Sequence, residues 1–503
     1  YNQLTCQGLG GLVAHQLTNY LGATVMLLGF APENAYKIVS FLGISLSSLS
    51  FYAFLRLYFK PLPSIAGIVL YTFTTYKIIN FYIRGAMPEI FAATFLPLIL
   101  IGMYLFIKKR KIAGLFITSI SLFLLALNHP MMLLIYSFIY LPYLAFLLVQ
   151  DKKIKDLVSL NQIKDIILIG MFSFLGIGLA SYYLLPLNLE IKYFYYGVGN
   201  HLTPNSFLGA FDYLKFDWKY FTNSEVFPRG HIIFPGIIEF ASLLFGIGLI
   251  LFKWLKKDRS IGILEFGMLS SVLIIFFISS YSNIFYEKIN ILSNIQFPWR
   301  MLSAFIFLPP IIYAAVFTKL NKNIFIFVFI IIIIVIQFPQ LYGKNYIKYP
   351  NDFYYSSKYN PHSVLMNPIW TGKSEDYPVK SEKAEILEGT GTILDKKVNN
   401  SSRVYKIKAD TPLKIVDYTF YFPGWNLYID KALTPIEFQD PAQRGVITYQ
   451  VLPGEHTITL KFEDTRVREY AKILSLVSLI LFVLLFIFRN KVTKLFKIKN
   501  ETT

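Results

Sequence analysis

Eleven apolar runs, each about twenty residues long, recur along the chain, and a helix of that length crosses the roughly 30 Å of hydrocarbon in a bilayer. They lie near 36–58, 62–82, 86–107, 112–128, 131–150, 164–186, 233–253, 261–280, 300–318, 323–341 and 470–489. A water-soluble globule is excluded by composition: of 503 residues 55% are hydrophobic and 16% charged, and the mean hydropathy is +0.50. That is too little polar material to solvate a body of this size. The chain reads as a polytopic α-helical membrane protein. The single cysteine, Cys6, excludes an intramolecular disulfide framework and a cysteine-cluster metal site.

Every second connection between the runs is basic. Arg56 and Lys60, Lys108 to Lys111 including Arg110, Lys152, Lys153, Lys155 and Lys164, Lys253 to Arg259, Lys319 and Lys322, and Arg489 to Lys499 hold 21 Lys and Arg against five acids. Their net of +16 accounts for nearly all of the formal +18. Lys and Arg are retained on the cytoplasmic side, so the charge is a topology signal and needs no nucleic-acid partner. It places the carboxyl terminus in the cytoplasm, and residues 1–35, 187–232, 281–300 and 342–468 outside the plasma membrane. Residues 10–30 are apolar but carry His15, Gln16 and Asn19; an amphipathic helix at the outer interface is expected, with a further crossing as the alternative. The chain opens on Tyr1 without a signal-peptide pattern, and its natural start is expected upstream.

The organisation that follows is an outer remnant with an interfacial helix at 1–35, a transmembrane domain of about ten helices at 36–341, a β-rich domain at 342–468, and a last transmembrane helix with a basic tail at 469–503. The β assignment rests on period-two alternation in SRVYKIKA, LKIVDYTFYF, NLYID, GVITYQVL and HTITLKF, with turns at Pro423-Gly424 and Pro453-Gly454. Short strands at this spacing predict a small β-sandwich, extracytoplasmic by the charge argument.

Ionisable groups at span ends carry the functional signal, because charge in lipid is expensive unless it faces protein or water. Lys77, Asn80 or Phe81, and Arg84 share a helical face, and Arg84-Gly85-Ala86 turns the chain to Glu89. Two readings stay open: snorkelling cations with a helix-start carboxylate, or a phosphate-binding cation beside a positioned carboxylate. His129 sits in the turn Asn128-His129-Pro130, either as a cap or as a functional imidazole. Glu190 ends SYYLLPLNLE. Arg300 follows Trp299 at a helix start, where the dipole does not favour a cation, so an anionic partner is expected. Glu239 lies in the outer half of its span and is a cavity-lining candidate, whereas Glu265 is near enough to the inner end to snorkel. No nucleotide-binding, zinc-protease or nucleophile-elbow motif has a supporting context.

The run YIRGAMPEIFAATFLPLILIGMYLF, the NHP turn, SYYLLPLNLE, IQFPWRML, FPGWNLYID and VLPGEHTITLKFED together resemble a group of bacterial multispanning proteins, the YfhO-like proteins and those carrying a 6-pyruvoyl-tetrahydropterin-synthase-related region. The likeness runs from about residue 10 to 489 and is similar in kind to the GT-C glycosyltransferase superfamily. It implies a GT-C-like helical fold and transfer of a sugar from a polyprenyl-phosphate donor to an envelope glycan or polymer on the outer face. The likeness covers Arg84, Glu89, His129, Glu190 and Arg300; taken with the span-end reading of Lys77 and Glu239, it makes Glu89 and Glu190 catalytic candidates and Lys77, Arg84, His129, Glu239 and Arg300 substrate-binding ones. Pterin chemistry is not implied, because His362 and His456 alone cannot supply a histidine-rich metal site; no cofactor or metal ligand set is identified. The superfamily's acidic residue in the first outer loop has no counterpart before Glu33, and the general base is expected upstream of Tyr1. Trp425 is a sugar-stacking candidate, with a buried core role favoured.

Two other classes remain. A transporter or flippase of a lipid-linked saccharide would show the same spans and cations, although no Gly/Pro-broken pair of spans is visible in the sequence. A noncatalytic envelope scaffold is the third.

Overall fold

A computed structural model describes residues 16–82, 84–150, 160–195, 236–258, 260–295, 297–341, 368–371, 382–399 and 401–496. The expected outer segments therefore fall largely outside the described residues at 196–232 and over most of 342–381, as do residues 1–15 and the end of the basic tail. The described chain forms two compact units: 181–195, 368–371 and 382–476 make one, and 16–180, 236–341 and 477–496 the other.

All eleven apolar runs contain an apolar helix. Among the described residues, eight helices are long and apolar enough to cross a membrane: Pro32–Leu55, Pro61–Tyr82, Met87–Ile107, Pro130–Val149, Leu160–Leu179, Ile237–Leu255, Pro298–Leu320 and Arg466–Ile487. Ala113–Asn128, Ile263–Ile278 and Asn323–Gln337 are shorter. Proline sets many of the starts: Pro32, Pro61, Pro130 and Pro298 stand in the first turn, where a missing N–H costs nothing. Asn321, with φ 49°, ends the Pro298–Leu320 span in the left-handed region.

The helical unit has an aromatic centre. Phe51, Tyr71 and Phe307 meet with ring centroids 4.4 to 5.4 Å apart, and Tyr136 packs edge-on to Phe307. In an apolar solvent helices associate through close backbone approach rather than hydrophobic exclusion. Gly102 and Gly114 supply such an approach, since a Cβ on Gly114 would overlap the Gly102 carbonyl oxygen and stand 2.7 Å from Phe106 N. The Gln16–Leu27 helix lays Leu17, Leu21 and Val25, one face at i, i+4 spacing, against the bundle core and leaves Tyr20, Met26 and Leu27 exposed.

One span is interrupted without proline or glycine. Pro61–Tyr82 breaks after Thr72 and resumes at Thr75, with Phe73 at φ −104° and ψ 23°. Three threonines crowd this point, and the hydroxyls of Thr72 and Thr74 bond back to Ile68 O and Tyr71 O. β-branched residues that offer the backbone alternative hydrogen bonds loosen a helix in this way.

In the other unit eight strands among the described residues form two antiparallel sheets. β1 (Ala384–Glu388), β4 (Leu413–Phe420) and β7 (Val446–Val451) pair in the order β1-β4-β7. β2 (Gly391–Val398), β3 (Ser402–Ala409), β5 (Trp425–Ile429), β6 (Ala432–Thr434) and β8 (Gly454–Phe462) pair in the order β2-β3-β8-β5-β6. Burial alternates along β3, where Arg403, Tyr405, Ile407 and Ala409 face in. One core draws on both sheets, through Tyr405, Ile407, Leu427, Ile458 and Leu460 from one and Ile415, Ile447, Tyr449 and Val451 from the other. The β5–β6 hairpin turns on Asp430 and Lys431, both at positive φ as a two-residue turn of this hand requires.

Candidate functional site

Three chain turns meet at one end of the helical unit. The first carries Arg84 into the Met87–Ile107 span, the second is Asn128-His129-Pro130, and the third is Phe297-Pro298-Trp299-Arg300. Asn128 Nδ2 donates to Pro88 O at 2.7 Å and so fastens the second turn to the first. The Arg84 guanidinium stands 4.6 Å from the Trp299 ring centroid, which fastens the first to the third.

Glu89 is the hub. It is buried, and its carboxylate accepts from Tyr76 OH at 2.5 Å, Ser303 Oγ at 2.5 Å, Asn80 Nδ2 at 3.1 Å and Arg84 Nη1 at 2.9 Å. Tyr76 and Asn80, four residues apart, share a face of the Thr75–Tyr82 helix, and Arg84, just past its end, reaches back to both. Arg84 Nη1 also donates to Tyr76 OH at 3.2 Å and to Asn80 Oδ1. Among the described residues these bonds occupy Nη1 alone, so Nε and Nη2 of a side chain that is 19% exposed remain as donors. His129 lies within electrostatic reach of Glu89.

Arg300 joins the same aromatic platform. Its guanidinium stands 5.8 Å from the Trp299 centroid and 5.1 Å from that of Phe297, and Phe297 and Trp299 stack at 5.4 Å and 16°. Its Nη1 donates to Met131 Sδ at 3.0 Å, two residues beyond His129. Two guanidiniums thus contact one indole, at 4.6 and 5.8 Å from its centroid, and a phosphate is the kind of anion that each can bind through paired N–H groups.

Arg84, Glu89, His129 and Arg300, expected from separate segments, are thus brought together. Lys77 is not part of the cluster. One residue from Tyr76, it points its ammonium to Ser47 Oγ at 3.0 Å and over the Tyr71 ring at 3.5 Å. Glu239 lies apart too, bonded through Oε1 to Thr75 N–H at 2.8 Å. Glu190 belongs to the other unit, where it accepts from Arg468 Nε at 3.0 Å and Nη2 at 2.8 Å and from Thr465 Oγ1 at 2.6 Å. Four side chains donate to Glu89 and two to Glu190, so each carboxylate anchors an arginine. Glu265 pairs with Lys253 and caps Gly262 N–H at 2.7 Å. Trp425 is 4% exposed beneath the Arg403 guanidinium, a core residue.

The sequence pattern does not single out Tyr76, Ser303 or Trp299. The four-residue spacing of Tyr76, Asn80 and Arg84 was the available signal for the first; Ser303 has none, since it acts from a remote segment. Among the described residues no cluster of three or more His, Cys, Asp or Glu is placed to hold a metal ion. Comparison with family models, characterised proteins and solved structures finds no significant match.

Proposed function

We propose that the chain is an integral-membrane glycosyltransferase of the GT-C kind, which transfers a sugar from a polyprenyl-phosphate donor to an envelope glycan or polymer. The reading puts the basic connections in the cytoplasm and the β-sandwich on the outer face of the plasma membrane. Its main support is the convergence of Arg84 and Arg300 on Trp299 beside Glu89 and His129. A lipid-borne phosphate rides at headgroup level, where span-end cations meet it while its tail stays in hydrocarbon.

In this role Arg84 offers Nε and Nη2 to the phosphate, and Glu89 fixes the guanidinium through Nη1. Arg300 supplies the second cation, and together they stabilise negative charge as the sugar leaves. The acceptor hydroxyl needs a base to take its proton.

The test is an in vitro transfer assay on the full chain with a labelled polyprenyl-phosphate hexose. Glycosidic product that falls at least tenfold in Arg84→Ala plus Arg300→Ala is expected; retained activity in that variant removes the assigned site. Movement of the lipid across the bilayer without product would select the second reading, a carrier of a lipid-linked saccharide. The break at Phe73 and Thr74 favours that reading, because carriers place ligand sites at discontinuous spans.

A further inference from the structure

Glu239 is fully buried in the third position of the Ile237–Leu255 helix. Among the described residues no Lys, Arg or His lies within ion-pair distance of it. The groups that face it are Thr75 from the resumed half of the broken span, Gln337 from Asn323–Gln337, whose Nε2 donates to Thr75 Oγ1 at 3.3 Å, and Tyr313 from Pro298–Leu320, whose hydroxyl donates to Ile238 O at 3.0 Å. Ile263–Ile278 brings Glu265, but that carboxylate is tied to Lys253, fourteen residues along the helix from Glu239 and so roughly 20 Å away. Lys77, two residues beyond Thr75, is committed to Ser47.

The two carboxyl oxygens have different surroundings. Oε1 accepts the Thr75 N–H, the orphan donor that the break creates. Oε2 meets no hydrogen-bond geometry among the described residues. It shares with Thr75 Oγ1 the space over the Cα of Gly236, since a Cβ there would overlap both oxygens. Gly236 stands at φ 86° and ψ 151°, a region open to glycine almost alone, so backbone conformation and absent side chain together keep this cradle. An unpaired carboxylate in so apolar a place costs several kcal/mol. Either a proton or a cation must answer it. Two converging oxygens suffice for a proton and fall far short of the six or more that a hard divalent metal takes.

We propose that Glu239 is a proton-binding site in the helical unit, present as a neutral carboxylic acid with Oε1 capping Thr75 and the Oε2 proton directed into the Gly236 cradle towards Thr75 Oγ1. Loss of that proton leaves a bare negative charge between the Ile237–Leu255 helix and the broken span. The break is then where the structure yields to proton release.

Infrared difference spectroscopy of the full chain in lipid nanodiscs, wild type minus Glu239→Gln, tests this at pH 7. A protonated-carboxyl C=O band present in wild type and lost in Glu239→Gln is expected, as is a melting temperature in sodium chloride equal to that in choline chloride. A carboxylate band at pH 7 in place of the acid band overturns the proposal. So does a sodium-dependent rise in melting temperature that Glu239→Gln abolishes, which would assign the cradle to a metal cation. If Glu239→Gln fails to fold, Thr75→Val decides instead: loss of the accepting hydroxyl should raise the acid C=O frequency, and an unmoved band contradicts the assignment.

Discussion

Glu190 and Arg468 show what a single residue can hold in place. Their side chains are 3% and 8% exposed, and the guanidinium also lies over Phe422 and Phe462 while donating to Pro423 O. Removing one partner strands the other charge, so Arg468→Ala should cost about 3–5 kcal/mol in unfolding by denaturant. The double replacement Glu190→Leu plus Arg468→Met should cost much less than Arg468→Ala alone; a double variant as unstable as the single one would show that charge stranding is not the cause. Glu463 works differently, at the surface. Lys461, Asn426 and Tyr428 all donate to it and hold its carboxyl down at about 2, against an ordinary 4.5. The folded-state value is the lower one, so its contribution is whole above about 4.5 and fades as pH falls towards 2. Glu463→Gln should flatten the stability profile in that window, and an unaltered acid limb would count against the network.

Among the elements, helix contacts at small residues make the sharpest forecast. Gly114→Leu must separate Ala113–Asn128 from Phe95–Ile107, and overpacking of this kind should destabilise by about 1–3 kcal/mol, read from denaturant midpoints. A neutral result would mean that the helices slide apart freely. The same scale shows why some features were legible in the sequence and others were not. Span positions follow from apolar length alone, and β3 matches SRVYKIKA residue for residue because inward and outward positions alternate. β1, β2 and β6 were not read: β2 is largely exposed and carries Asp395, Lys396 and Lys397, so no alternating apolar face marks it. The break at Phe73 carries neither proline nor glycine, and the threonines that cause it are tolerated in intact helices elsewhere. Arg84, Glu89, His129 and Arg300 were visible as span-end ionisable groups, whereas Lys77 was misplaced by one helical position in favour of Tyr76.

For the whole molecule the account requires opposite sides of a bilayer for the basic connections and the β-sandwich. Cysteines placed one at a time in a Cys6→Ser background, at exposed Leu433 in the sandwich and at Lys256 in a basic connection, should react with an impermeant maleimide on intact cells only at the first. Labelling at Lys256 alone would invert the topology. The central claim, that Arg84 and Arg300 hold a lipid-linked phosphate, is tested most directly by binding in nanodiscs. Wild type should bind a polyprenyl phosphate at least tenfold more tightly than the uncharged polyprenol of equal length, a difference of about 1.4 kcal/mol. That preference should vanish in Arg84→Ala plus Arg300→Ala, and equal binding of phosphate and alcohol by wild type would contradict the account.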